Sequence, residues 1–189
     1  MTGTPGATAP TAPTAPTDAS DGTRGLAVLD VDGVLADVAH RLHHLEGGRK
    51  DWGAFFAAAE RDPPLPVGLA LAAELAGEHD LAYLTGRPEH LRRVTQRWLA
   101  RHELPPGPLW MRPARDFRPA RVMKLDALGR LGVGRAVEIV VDDDSDVVDT
   151  LREAGYAVLH ADWAGQARGG RSAPRQDTLY EAQETDGRT

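Results

Sequence analysis

Two aspartates stand two residues apart in "LAVLDVDGVLAD", residues 26–37, where a run of small apolar residues gives way to Asp30, Asp32 and Gly33. Carboxylates repel one another, so a pair of them at the end of a buried segment needs an offsetting charge. Two chemistries fit: a solvated acidic loop, or a site that holds a cation while one carboxylate attacks phosphorus. A second acidic run, "VVDDDSD", places Asp142, Asp143, Asp144 and Asp146 far downstream. If the fold brings the two runs together, the donors are all oxygen, with neither Cys nor His among them. That set suits a hard ion such as Mg²⁺.

The elements that must position these residues alternate along the chain. "GLAVLDV", "LAYLT", "PLWM", "AVEIVVD" and "YAVLHA" are short and apolar and predict buried strands. Between them, "VGLALAAELAGEHD", "PEHLRRVTQRWLARHEL", "RPARVMKLDALGRL" and "SDVVDTLREAG" have helical periodicity. The first is expected to stop near its Gly, and the second to start at Pro88. Strand–helix alternation of this kind implies an α/β fold: a Rossmann-like open parallel sheet with helices on both faces. Ligands of such sheets bind outside the carboxyl ends of the strands. The first, second and fourth strands end in "LDVDG", "TGR" and "VDDDSD". Residues two apart in an extended segment point to the same side, so Asp30 and Asp32 can converge.

Composition narrows the function classes. With 189 residues, 41% of them hydrophobic, the chain has room for one compact domain. A net charge of −6 argues against a protein that grips nucleic acid through a large basic face. The absence of cysteine excludes a disulfide scaffold and a thiolate nucleophile. No apolar run is long enough for a membrane span and no signal peptide is evident, so a cytoplasmic location is expected. Residues 1–23, rich in Ala, Thr and Pro, read as a disordered tail, and residues 165–189 as a polar C-terminal tail with at most a short helix around Leu179. The domain is expected over residues 24–164. Within it, residues 36–66 form a small helical flap or cap insertion carrying Trp52, Phe55 and Phe56, which would leave the site relatively open.

"DVDGVLAD", then "LTGR", then Lys124 in "RVMK", then "VVDDDSD" resemble the four ordered motifs of the haloacid dehalogenase (HAD) superfamily of phosphatases. Within it, "HRLHHLEGGRKDWGAFFAA", "YLTGRPEHLRRVTQRWLARHELP" and "LWMRPARDFRPARVMK" are similar to the phosphatase module of polynucleotide kinase 3'-phosphatases. The resemblance implies that Asp30 is the nucleophile, forming an aspartyl-phosphate, and that Asp32 is the general acid and then the base. It implies that Thr85 and Lys124 bind the phosphoryl oxygens. Mg²⁺ is expected on Asp30, the backbone carbonyl of Asp32 and Asp143, with Asp142 and Asp146 assisting. Gly86, Arg87, Arg112 and Arg118 are candidate substrate contacts because their segments follow strand ends.

The expected activity is therefore a Mg²⁺-dependent phosphomonoesterase, with a 3'-phosphorylated nucleic-acid end as preferred substrate. A nucleotide or other small phosphorylated metabolite is the alternative, and a catalytically silent phosphate- or metal-binding protein is the rival from another class. Related modules often carry Arg directly after the two acids, where this chain has Asp144, and an anion there weakens the polynucleotide assignment. His40, His43 and His44 are expected to serve packing or substrate contact rather than a second metal. No "GxxxxGK[ST]" kinase loop exists in the chain.

Overall fold

The structure, a computed structural model, describes residues 24–46, 48 and 50–166. Both expected tails, including the helix around Leu179, fall outside these residues apart from the last two of the short helix α6. In chain order the elements are β1 (Leu26–Leu29), α1 (Trp52–Ala57), α2 (Pro66–Glu78), β2 (Asp80–Pro88), α3 (Arg92–Arg101), β3 (Leu109–Arg112), α4 (Ala120–Leu131), β4 (Val137–Asp142), α5 (Ser145–Glu153), β5 (Val158–His160) and α6 (Trp163–Gln166). The five strands form one parallel sheet in the order β3-β2-β1-β4-β5. This is the α/β architecture that the alternating pattern implies.

All four residues of β1 are buried because the central strand is covered on both faces. Ala27 and Leu29 face a core built with Ala72 of α2 and Trp98 and Leu99 of α3. Leu26 and Val28 face the opposite core, with Met123 and Leu128 of α4 and Val147 and Leu151 of α5. The strand order sets β2, β1 and β4 side by side, so the three chemically loaded strand ends share one stretch of the sheet edge.

Just past β1 the chain turns tightly. Gly33 adopts φ +81°, a left-handed conformation open to glycine at little cost. Ala36 then pairs antiparallel with Pro64, and the Leu65 N–H donates to the Leu35 carbonyl at 2.7 Å. These bonds pinch the base of the segment between them, which contains a 3₁₀ helix (Ala39–Leu45), α1 and one 3₁₀ turn (Ala59–Arg61). Gly68 of α2 packs directly on the turn: a Cβ there would lie 1.9 Å from the Val34 carbonyl oxygen.

Two element ends differ from the sequence expectation. Pro88 closes β2 instead of opening a helix; its ψ of 150° is extended, and a 3₁₀ turn (Glu89–Leu91) separates it from α3. Proline's fixed φ suits both positions, so the residue type alone does not choose. Helix α2 runs past Gly77 to Glu78, and the His79 N–H closes it by donating to Leu75.

Candidate active site

Asp30 follows β1 directly, and its N–H donates to the Val141 carbonyl of β4 at 2.9 Å, which fixes it against the neighbouring strand. Asp142 is the last residue of β4, and Asp143 begins the turn into α5. The carboxylates of Asp30, Asp142 and Asp143 each offer an oxygen within 4.8 Å of the others. Lys124 reaches this group from α4, with Nζ 2.7 Å from Asp142 Oδ2 and 3.0 Å from Asp30 Oδ2. It is not an exposed helix lysine: at 1% exposure it is a buried cation among three acids.

One ammonium does not neutralise three carboxylates. Burial raises the Asp30 pKa to about 7; Lys124 works against that rise, while Asp142 and Asp32 add to it. Asp143 is raised well above the ordinary carboxylate range, chiefly by burial and then by Asp30 and Asp142. Asp30 Oδ1 and Asp143 Oδ1 are buried and accept no hydrogen bond. Buried oxygens of this kind are costly unless a donor or cation meets them. An oxygen-only set with unmet lone pairs and excess negative charge fits a hard divalent cation, with Asp30, Asp142 and Asp143 as the residues that would hold it.

Asp32 belongs to a second cluster. Its Oδ1 accepts from Arg41 Nη2 at 2.8 Å and from Arg87 Nε and Nη2 at 2.9 and 2.5 Å. The same guanidiniums bind Asp62, Arg41 at 2.8 Å through Nε and Nη2 and Arg87 at 2.7 Å through Nη2. His40 Nε2 lies 2.7 Å from Asp62 Oδ1. Although burial opposes it, the two arginines hold the Asp32 carboxyl down at about 2, so Asp32 rests ionised. Its proton for an acid role is therefore not present in this arrangement.

The remaining expected residues are distributed as follows. Thr85 is fully buried in β2, and its hydroxyl oxygen accepts from the Arg87 N–H at 3.2 Å. Gly86 offers its carbonyl to Arg112 Nε at 3.4 Å, and Arg112 Nη1 donates to the carbonyls of Asp116 and Arg118. Arg112 thus holds the loop after β3 against the end of β2. Arg118 points to Asp116 and Asp126 in surface ion pairs. Asp146 is exposed on the first turn of α5, outside the carboxylate group. Asp144 caps α5, accepting from the Asp146 and Val147 N–H groups, and is buried. Its charge is turned into a helix N-terminus, which accounts for an anion at a position where related modules often have Arg.

Arg41 and Asp62 are not among the residues that the sequence singles out. Arg41 sits on a 3₁₀ helix and Asp62 just after another 3₁₀ turn, so neither stands in a periodic pattern, and Arg41 lies between His40 and Leu42 in "HRLHHL" without a local signal of its role. Phe55 of α1 backs this cluster, its ring centre 4.1 Å from the Arg41 guanidinium carbon.

The family described as the polynucleotide kinase PNKP phosphatase domain matches residues 25–164. This chain belongs to that family of HAD-type phosphatases. Two solved structures, one of the Pnkp1/Rnl/Hen1 RNA repair complex and one of the Pnkp1/Rnl/Hen1 complex, are similar in fold, with TM-scores of 0.61 and 0.62 at 23% identity over 76% of this chain. This chain spans 44% and 48% of those chains. The L-2-haloacid dehalogenase of Xanthobacter autotrophicus aligns at a TM-score of 0.47 and 18% identity, over 85% of this chain and 88% of its own. No curated protein sequence matches significantly. Among the described residues no helix is long and apolar enough to cross a membrane.

Proposed function

We propose that this phosphatase is a Mg²⁺-dependent phosphomonoesterase that works through an aspartyl-phosphate on Asp30 and acts on a nucleic-acid 3' end. The observation that carries the proposal is the meeting of Asp30, Asp142, Asp143 and Lys124 at the sheet edge, three acids and one cation contributed by three separate elements.

Asp30 attacks phosphorus, and the bond to the leaving oxygen breaks as that oxygen takes up a proton. Water then attacks the aspartyl-phosphate, gives up a proton and releases inorganic phosphate. A bare carboxylate approaching a phosphate ester is repelled, and Lys124 offsets that repulsion while holding Asp30 in place. A divalent cation bound there would supply Lewis-acid stabilisation of the phosphoryl oxygens. Asp32 rests ionised, the form that accepts the proton of water in the second half. To donate one in the first half it must be loosened from Arg41 and Arg87. The buried Thr85 hydroxyl and the Gly86 backbone, at the end of β2, border the place where the phosphoryl group would sit.

The 3'-end assignment rests on the family match and on the likeness in fold to a component of an RNA repair complex. With Asp144 turned into α5, the acidic run after β4 adds less repulsion toward a polynucleotide than its sequence suggests. Comparing hydrolysis of a 3'-phosphorylated oligonucleotide, its 5'-phosphorylated isomer and mononucleotides tests the assignment. Preferential turnover of the 3'-phosphorylated end is expected; turnover of small metabolites alone would overturn it. Asp30→Asn should abolish all three, and retained turnover would remove Asp30 from its role.

A further inference from the structure

Beside the phosphoryl site lies a cavity of about 480 Å³ that the chemistry above leaves unused. Its walls are Trp52, Phe56, Pro88, His90 and Leu91, with Gly53 and Ala57 between the aromatic residues on α1. The rings form one continuous cluster, with Trp52 and Phe56 5.8 Å apart between centroids and Phe55 in contact with both. Phe55 in turn rests on Arg41, which bonds Asp32. On the other wall, Pro88 directly follows Thr85, Gly86 and Arg87. The cavity is thus joined to the site through both the flap and the end of β2.

We propose that this cavity is a stacking subsite for the terminal nucleobase of the strand whose 3'-phosphate is presented to Asp30. The inference deepens the function proposed above and rests on it. Flat aromatic and prolyl faces bind any base through its π surface without needing a particular hydrogen-bond pattern. A volume of this size lies within the range that small ligands occupy. The Trp52 indole N–H is buried and has no acceptor among the described residues. Charge on the β2–α3 wall favours the same occupant, while the Asp51 carboxylate on the α1 wall is engaged as the cap of α1, accepting from the Ala54 N–H. Glu89, next to the cavity, is neutralised by Arg92 at 2.5 and 2.8 Å. Arg93 is exposed three residues after His90 and has no ionic partner among the described residues. Three residues is about one helical turn, which sets Arg93 on the side of His90 as a cation for the backbone phosphate of the same strand. A purely apolar leaving group would fill the cavity without using Arg93, and for that reason the strand end is the better occupant.

The test compares an oligonucleotide ending in a normal 3'-phosphorylated nucleotide with one ending in an abasic 3'-phosphate. The wild-type protein should favour the base-bearing end in kcat/KM by roughly 5- to 150-fold, the range that base–aromatic stacking spans. Trp52→Ala and Phe56→Ala should each shrink that preference, whereas Trp52→Phe, which keeps a flat ring, should retain most of it. Equal turnover of both ends by the wild-type protein, or a preference indifferent to Trp52→Ala, overturns the subsite. Should no oligonucleotide be hydrolysed, the 3'-end assignment fails, and the subsite is then decided by binding to Asp30→Asn protein. There, adenosine 3'-monophosphate must bind more tightly than ribose 3-phosphate, and equal affinity rejects the subsite.

Discussion

Asp143 fills the space where Gly33 would carry a side chain: a Cβ on Gly33 would lie 1.8 Å from Asp143 Oδ2. The turn that follows the Asp30–Asp32 pair is therefore in direct contact with an acid delivered by another strand end. Gly33→Ala must both strain a backbone at φ +81° and displace that carboxylate. We expect about 1–2 kcal/mol of lost stability from the backbone alone. Divalent-cation affinity should fall as well, because Asp143 is pushed away from Asp30 and Asp142. Thermal unfolding with and without Mg²⁺ reads both effects; a variant that binds the cation as the wild type does would show that Asp143 is not needed for it.

Lys124 and the proposed cation offset the same charge, and removing the lysine separates their contributions. Lys124→Met keeps the length of the buried side chain and deletes its charge. Turnover of a phosphomonoester should fall by about 10²–10³-fold, the scale seen when one preorganised electrostatic contact is lost. Cation binding should not weaken, since the three carboxylates lose the positive charge that competes with the cation for them. Calorimetric titration with Mg²⁺ beside steady-state kinetics distinguishes this from general damage, in which both would decline together.

The raised pKa values at the sheet edge make stability depend on pH in a defined direction. Asp30 has an ordinary value of 3.8 and is raised to about 7 in the fold, so between these values the native state holds more protons than the unfolded chain. Stability without metal should therefore fall as pH rises from about 4 to 7, with Asp143 acting in the same sense. Mg²⁺ opposes the effect by favouring the ionised carboxylates, so the gain in melting temperature from Mg²⁺ should be larger at pH 7.5 than at pH 5. A metal gain that is equal at the two pH values would contradict the assignment of these groups.

Legibility in the sequence follows the range of the signals. Asp30, Asp142 and Asp143 stand at or beside strand ends and Lys124 in a short motif on α4, so a strand–helix pattern and a few local motifs are enough to suggest their meeting. Lys124 is ambiguous as an isolated helix residue, because its burial depends on β1 and β4 delivering acids beneath α4. Arg41 and Asp62 are illegible for a related reason. They stand in the insertion without regular periodicity, and their roles exist only where Asp32 and Arg87 arrive from β1 and β2. Arg87 stands out as a substrate contact from its place in "TGR", yet its guanidinium is occupied by Asp32 and Asp62, a partnership that no local pattern encodes.

That partnership is also where the fold is most exposed to single substitutions. Asp32, Asp62, Arg41 and Arg87 are all buried and form two acids bridged by two bases, balanced as a set. Removing one member strands an opposite charge, which in buried ion pairs costs about 3–5 kcal/mol. Asp62→Leu should therefore destabilise strongly, and Arg41→Leu should do so by a comparable amount. The double variant removes one acid and one base together, leaving Asp32 paired with Arg87, so its loss should be smaller than the sum of the single losses. Denaturant unfolding of the four proteins gives the coupling directly. Additive losses would mean that Arg41 and Asp62 act independently, and the flap would then be anchored by its pinched base at Ala36 and Pro64 and not by this ion cluster.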